Sequence, residues 1–158
     1  PFPKSVVANY IPESIRGRIF PTYIAGALDW EDRPLYIVDE WVSFYNGGIV
    51  AVEDFNTGKH NGDKFGAVSG LFELSVYTIG LCMCIIDRAI DHWYNFPEMR
   101  LFVIDQLGRS KTVFELGRNI EDFADDKLDR LIYNLRSSPD CLEFRTFMDD
   151  ELENAWRL

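Results

Sequence analysis

Residues able to do covalent or metal chemistry are few in this chain and poorly spaced for it. The only two histidines, His60 and His92, have no second histidine or cysteine at metal-ligand spacing. Cys84 and His92 are eight residues apart on a predicted helix. That separation corresponds to about 12 Å of rise, which excludes a cysteine–histidine dyad. We therefore predict no catalytic residue, no cofactor and no metal ion, and hence a protein that is not an enzyme.

The three cysteines are an odd number, which favours reduced thiols over a disulfide framework. Cys82 and Cys84 lie in the most apolar run of the chain, residues 76–86, where a free cysteine behaves as a small hydrophobic residue. We predict that both are buried and unreactive. The run falls short of the roughly 20 apolar residues that a membrane-spanning helix needs. With no secretory signal in the sequence, we expect a cytoplasmic protein without membrane contact.

Adjacent carboxylates are the most frequent pattern with functional potential. They occur at Glu31-Asp32, Asp39-Glu40, Glu53-Asp54, Asp125-Asp126 and Asp149-Asp150. Such pairs can hydrolyse glycosides or hold a divalent cation when one member sits in a pocket with a shifted pKa. Neighbouring side chains on a helix or strand point apart, so we favour solvated surface charge for each pair. A small hydrolase stays an alternative, and it requires two carboxylates converging in a concave pocket.

The charge balance argues against direct binding to nucleic acid. The 158 residues include 26 acidic and 16 basic side chains, a formal net charge of −10. Nucleic-acid affinity comes chiefly from clustered lysine and arginine side chains. An acidic surface could instead approach the basic groove of a protein that itself binds nucleic acid, or it could serve solubility alone.

The elements that carry these residues are predicted to mix helices with short strands. Residues 35–44 place apolar side chains at helical spacing. Asn46-Gly47-Gly48 is a strong turn signal, and the β-branched residues 49–52 after it indicate a strand. A second polar, glycine-rich loop covers residues 57–63. These features predict a small antiparallel sheet.

Helices dominate the rest of the predicted chain. Residues 66–95 lack proline and are apolar on almost all sides, which predicts a long buried helix at the centre of the core. Gly108-Arg109-Ser110 is a predicted joint after a short element at residues 98–105. Amphipathic spacing predicts a helix over residues 121–135, and a last acidic helix is predicted from residue 138 onward. Length and the absence of a linker predict a single domain, residues 1–158.

The order and spacing of several short motifs resemble those of a known family, the antirestriction proteins of the ArdB and KlcA type. The matching residues are Ile11-Pro12, Arg16, Arg18, Phe20-Pro21, Tyr23, Leu35-Tyr36, Tyr45-x-Gly47-Gly48, Glu53, Asn56 and Gly58. A weaker match continues through Phe96-Pro97-Glu98 to Ile104-Asp105, so the resemblance covers residues 11–105. Residues 106–158 have no counterpart and form a predicted helical, acidic C-terminal extension. The family's aromatic stretch after the two glycines is replaced here by residues 49–52.

The resemblance implies an α/β (α+β) fold, with a small antiparallel sheet flanked by helices and a long buried central helix. It also implies a function, the protection of incoming plasmid or phage DNA by interference with a host type I restriction-modification system. That interference would act through protein contacts with a subunit or the whole complex of the restriction enzyme.

The residues expected to bind the protein partner flank turns and element ends of the matched region, where binding residues concentrate. They are Glu31, Asp32, Tyr45, Glu53, Asp54, Asn56 and Asp105. The alternative function is an acidic inhibitor or immunity-type protein of the same fold, aimed at another defence or toxin protein.

Overall fold

A computed structural model describes residues 2–59, 66–153 and 155–156, and these residues form no strand. Five α-helices make up most of the fold: α1 Tyr36–Asn56, α2 Leu71–Asn95, α3 Pro97–Arg118, α4 Asp126–Ser137 and α5 Leu142–Glu151. Short 3₁₀ or π turns precede or join them at Lys4–Tyr10, Glu13–Ile15, Pro21–Ala25, Leu28–Trp30, Gly66–Gly70, Glu121–Phe123 and Pro139–Cys141. The predicted α/β fold with an antiparallel sheet is therefore wrong.

Helix α1 is the element that replaces the predicted turn and strand. Gly47, Gly48 and residues 49–52 continue the helix that begins at Tyr36. The buried side of α1 carries Ile37, Trp41, Gly48 and Val52, which are spaced by four, seven and four residues. That stripe is an apolar helical face, and its burial overrides the local preference for a turn. Of the predicted loop at residues 57–63, only residues 57–59 are described, and residues 60–63 lie outside the described residues.

Helix α2 is the long buried central helix that the sequence predicted. Every residue from Leu71 to Cys82 is buried, and α2 contacts α1, α3, α5 and the turn Lys4–Tyr10. The stretch Val68–Asn95 is long and apolar enough to cross a membrane by length and composition, and 89% of its most apolar window is buried inside the fold. A helix buried to this extent by the rest of the chain is typical of the core of a globular domain.

Helix α3 runs without a break through the predicted joint at residues 108–110. It follows α2 after Phe96 and shares an interface with it. Three buried polar atoms on these two helices, Thr78 Oγ1, Gln106 Nε2 and Ser110 Oγ, have no hydrogen-bond partner in the described chain. Both helices therefore carry buried polar atoms as well as apolar side chains.

The C-terminal region returns to the same core. Asp125 caps α4 by accepting a hydrogen bond from Lys127 N. Trp156 is buried against Phe72 of α2 and Phe114 of α3, with ring centroids 6.3 and 5.7 Å away. The buried side chains form one cluster that extends from Val7 to Trp156.

The helical setting of Gly47 gives a direct test of the fold. A Cβ atom at Gly47 would meet no atom within 4 Å. Because glycine is the poorer helix former, we expect Gly47→Ala to raise the free energy of unfolding by about 0.5–1 kcal/mol. Urea denaturation measures the change. A loss of stability would instead support the predicted turn at residues 46–48.

The burial of Cys82 and Cys84 confirms that part of the sequence analysis and predicts slow thiol chemistry. Burial raises the pKa of both thiols, that of Cys84 to about 11. We expect a thiol reagent to label the native protein at neutral pH far more slowly than the urea-unfolded protein. Equal labelling rates in the two states would contradict the described packing.

Candidate functional site

The two carboxylate pairs predicted to bind a partner lie at opposite ends of α1. Glu31 and Asp32 precede its first turn, whereas Glu53 and Asp54 lie in its last turn. The helix has 21 residues, which at 1.5 Å per residue span about 30 Å. The continuous helix therefore separates the two pairs by about its own length.

The other three predicted residues are also dispersed. Tyr45 is partly buried in the middle of α1 and packs against the core. Asn56 borders a hollow of about 420 Å³ with Leu116 and other residues. Asp105 lies on α3, where its Oδ2 is 2.8 Å from Arg109 Nε in an exposed ion pair. The seven predicted residues therefore do not form one surface.

Glu31 and Asp32 do share a surface feature, with apolar side chains beside them. They line a shallow hollow of about 440 Å³ together with Phe2, Pro3 and Leu28, and we call these five residues the acidic hollow. Leu28 is 76% exposed, whereas Phe2 packs partly against the core. The hollow thus combines two carboxylates with an exposed apolar side chain.

A buried lysine fixes the backbone around the acidic hollow. The Nζ atom of Lys4 donates hydrogen bonds to the carbonyl oxygens of Tyr23, Ile24 and Gly26 at 3.1, 2.7 and 2.6 Å. Burial lowers the pKa of Lys4, and the negative charge of Glu31 opposes that shift. All three ammonium protons have acceptors, so this buried charge is fully hydrogen-bonded.

Backbone and side-chain contacts then place Glu31. Its carbonyl oxygen accepts a hydrogen bond from Lys4 N at 2.7 Å, and its Oε1 accepts from both the backbone N and the hydroxyl of Ser5. Ala27 turns the chain toward Glu31 in the left-handed conformation, with φ of 51°. Asp32 is exposed and makes no ion pair within the described part of the chain. One carboxylate of the hollow is therefore held in place and the other faces solvent.

A cleft of about 950 Å³ lies between residues 13–18, the start of α2 and α4. Its floor contains Glu73, which is 1% exposed. The Glu73 carboxylate accepts hydrogen bonds from Arg18 N at 3.0 Å, Ile19 N at 2.9 Å and the Tyr77 hydroxyl at 2.6 Å. Tyr77 Oη in turn accepts from Gly17 N at 3.2 Å. We call this set of contacts the Glu73 bracket.

The Glu73 bracket requires glycine at position 17 and perturbs the carboxyl group. A Cβ atom on Gly17 would overlap the carboxyl carbon of Glu73. Burial raises the pKa of Glu73, the three hydrogen bonds oppose that shift, and the charge of Asp125 adds to it. The raised pKa shows that desolvation outweighs the hydrogen bonds that favour the ionised form.

The cleft bears on the hydrolase alternative, because it holds two carboxylates close enough to interact. Both are occupied by protein groups, however. Glu73 is bound as described, and Asp125 accepts from Ser69 Oγ at 2.7 Å and from Lys127 N at 2.9 Å. These contacts assign both carboxylates a structural use. Among residues 2–59, 66–153 and 155–156, no three His, Cys, Asp or Glu side chains are placed to hold a metal ion.

Sequence reasoning missed the residues that build both features. The sequence did contain an indication that Glu73 is important, since it is the single carboxylate in the apolar stretch from Leu71 to Ile86. A charge in such a stretch is either paired or functional. The signal for Lys4 was weaker: it follows Pro3, and a short apolar run begins two residues later at Val6. Nothing local indicated that Phe2 and Leu28 would flank Glu31 and Asp32.

Comparison with known proteins returned no match to a family model, to a curated protein or to a solved structure.

The Glu73 bracket predicts a specific pH dependence of stability. The folded-state pKa of Glu73 lies above its usual value of 4.5. Between those two values the folded state binds more protons than the unfolded state, so Glu73 lowers stability as pH rises through this window. We expect Glu73→Gln to remove this contribution. The variant should also lose about 1–3 kcal/mol near neutral pH, because its amide nitrogen cannot accept a backbone N–H.

Urea denaturation from about pH 4 to 7 measures both effects. Glu13→Gln is the matched control, because Glu13 lines the same cleft but is exposed. It should keep the pH dependence of the unmodified protein. A Glu73→Gln protein with unchanged stability and unchanged pH dependence would contradict the bracket.

Proposed function

We propose that this chain is a non-enzymatic acidic protein that binds the basic surface of a nucleic-acid-handling enzyme and blocks it. The observation that supports the proposal is the acidic hollow, where Glu31 and Asp32 stand beside exposed Leu28. An apolar side chain flanked by carboxylates fits a partner whose surface is basic around an apolar contact.

The overall charge supports the same kind of partner. A net charge of −10 attracts a basic groove over a distance of about a Debye length, which is roughly 8–10 Å in physiological salt. Charges at the edge of an interface mainly raise the rate of encounter, and buried apolar contacts slow dissociation. Asp32 suits the first role and Leu28 the second.

The target that we propose from the motifs of residues 11–105 is a type I restriction-modification complex. In this proposal the protein protects incoming plasmid or phage DNA by contact with a restriction subunit or the whole complex. A cytoplasmic location stays a prediction that belongs to this proposal.

The helical fold favours a second candidate in the same class. The sheet that the resemblance implied is absent from the described residues, so the fold gives no support to that family's target. The second candidate is an acidic inhibitor or immunity-type protein aimed at another defence or toxin protein. It does not depend on that sheet, because its binding would rest on the negative charge and the acidic hollow.

Phage plating separates the two candidates. Unmodified phage is plated on cells with and without a type I system, each with and without this protein. The first candidate predicts that the protein restores plating in restricting cells and changes nothing in cells without the system. Equally low plating on restricting cells with and without the protein, beside full plating on cells without the system, would eliminate it and leave the second candidate.

Two double variants with the same change in charge test the acidic hollow. In the first, E31Q and D32N neutralise the carboxylates of the hollow. In the second, E53Q and D54N neutralise the pair at the other end of α1. We expect the first variant to lower affinity for the partner about tenfold and the second to have a smaller effect.

Both variants should retain the circular dichroism of the unmodified protein, because the amide oxygen that E31Q leaves at this position can still accept the hydrogen bonds from Ser5. Equal losses in the two variants would show that total charge, and not the acidic hollow, determines binding.

A further inference from the structure

The cleft between residues 13–18, the start of α2 and α4 has the size of a small-molecule site. Its volume of about 950 Å³ lies near the upper end of the range of roughly 300–1,000 Å³ for pockets that hold small ligands. Five residues of α4 line it from one side of that helix: Lys127, Leu128, Arg130, Leu131 and Asn134. The structure therefore brings two cations and two leucines into one hollow.

The carboxylates that line the cleft are already engaged by protein groups. Glu73 and Asp125 accept the hydrogen bonds described above. Glu13 Oε1 lies 3.7 Å from Arg16 Nη1 in an ion pair, and Asp122 also interacts with another group of the protein. Each negative charge of the cleft thus has a partner within the chain.

Two cations of the cleft lack such partners. Arg16 donates to two backbone carbonyl oxygens, and Arg18 interacts with another group of the protein. The ammonium group of Lys127 and the guanidinium of Arg130 are exposed, and neither has a hydrogen-bond or ion-pair partner in the part of the chain that the structure describes. The unpaired charge of the cleft is therefore positive, although the chain as a whole carries −10.

The stability of α4 does not account for these two cations. Lys127 lies in the first turn of the helix, where the helix dipole disfavours a positive charge. Asp126 lies four residues before Arg130 but forms no ion pair with it among the described residues, and Asp129 is paired with Arg118 at 2.9 Å. Both cations are thus available to a ligand in the cleft.

We propose that the cleft binds a small organic anion, a phosphate monoester or a carboxylate with an apolar body, through Lys127 and Arg130. Residues three apart on a helix are neighbours, with about 5–6 Å between their Cβ atoms. Their side chains can therefore donate charge-assisted hydrogen bonds to the oxygens of one anionic group. Leu131 follows Arg130, lines the same cleft and provides an apolar contact for the body of the ligand.

The net charge of the protein favours a small anion over a polyanion. A nucleic acid would extend beyond the cleft and meet the negative charge of the remaining surface, which repels it. A small anion stays within the cleft, where the unpaired charge is positive. The inference does not rest on the proposed function, because it concerns a different surface from the acidic hollow and a different class of ligand.

The test titrates the full ¹⁵N-labelled chain with phenyl phosphate, benzoate, inorganic phosphate and benzyl alcohol. The reporter is the side-chain amide of Asn134, which lines the cleft and donates to the Ser14 carbonyl oxygen at 2.7 Å. We expect phenyl phosphate or benzoate to shift its resonances and to bind more tightly than neutral benzyl alcohol. The tighter of the two anions identifies the anionic group that the site selects. Binding of benzyl alcohol as tight as that of both anions, or no binding of either anion at millimolar concentration, would overturn the inference.

Variants of α4 separate the cleft from general charge. K127Q and R130Q should each weaken binding of the tighter anion about two- to fivefold, the range for one exposed ion pair. R136Q is the matched control and should leave the affinity unchanged, because Arg136 is exposed on the same helix but does not line the cleft. L131A should weaken binding of the aromatic anion and leave that of inorganic phosphate unchanged. Circular dichroism verifies that each variant is folded.

Unchanged affinity of the double variant K127Q R130Q would overturn the inference, and so would equal losses in R130Q and R136Q. Because the readout is binding of small molecules to the purified protein, its outcome is independent of the plating result. A protein that protects phage DNA but binds none of the anions would lose this inference and retain the proposed function.

Discussion

The Glu73 bracket is the interaction on which the arrangement of the chain depends. A carboxylate inside the central helix would be costly to desolvate without partners. Here two backbone N–H groups of the segment before Phe20 and one tyrosine hydroxyl satisfy it. The same bonds attach the N-terminal segment to α2, so that segment covers the core helix. Gly17 is part of the arrangement because a side chain at that position would displace the carboxylate.

Most of the helical content was readable from the sequence, and the errors fell on α1 and on the joint predicted within α3. The central helix was predictable because residues 71–82 are almost continuously apolar. The turn and strand at residues 46–52 were predicted from glycines and β-branched residues, which are local signals. The decisive signal was longer: the spacing of Ile37, Trp41, Gly48 and Val52 continues one helical face through the supposed turn. Burial of Trp41, whose Nε1 donates to Ser75 Oγ at 3.0 Å, fixes α1 against α2.

The same error explains how much of the site could be predicted. Glu31 and Asp32 are adjacent, so their common surface follows from the chain itself. Glu53, Asp54 and Asn56 were predicted because they flank turns or element ends, and the continuous helix places them at the end of α1 that is far from Glu31 and Asp32. The apolar members of the acidic hollow could not be predicted, because Phe2 and Leu28 come together through hydrogen bonds that Lys4 and Ser5 make to residues 23–31. Those bonds depend on tertiary structure that no local pattern encodes.

The bonds of Lys4 also bear on the order in which the molecule assembles. They join residues 19 to 22 positions apart, whereas the Glu73 bracket joins residues 54 and 55 positions apart. Closing the longer loop costs about 0.8 kcal/mol more in chain entropy. Loop entropy alone therefore favours closure of the turn around Lys4 over attachment of residues 18 and 19 to α2. The region that carries Glu31 and Asp32 is thus tied together by the more local of the two sets of hydrogen bonds.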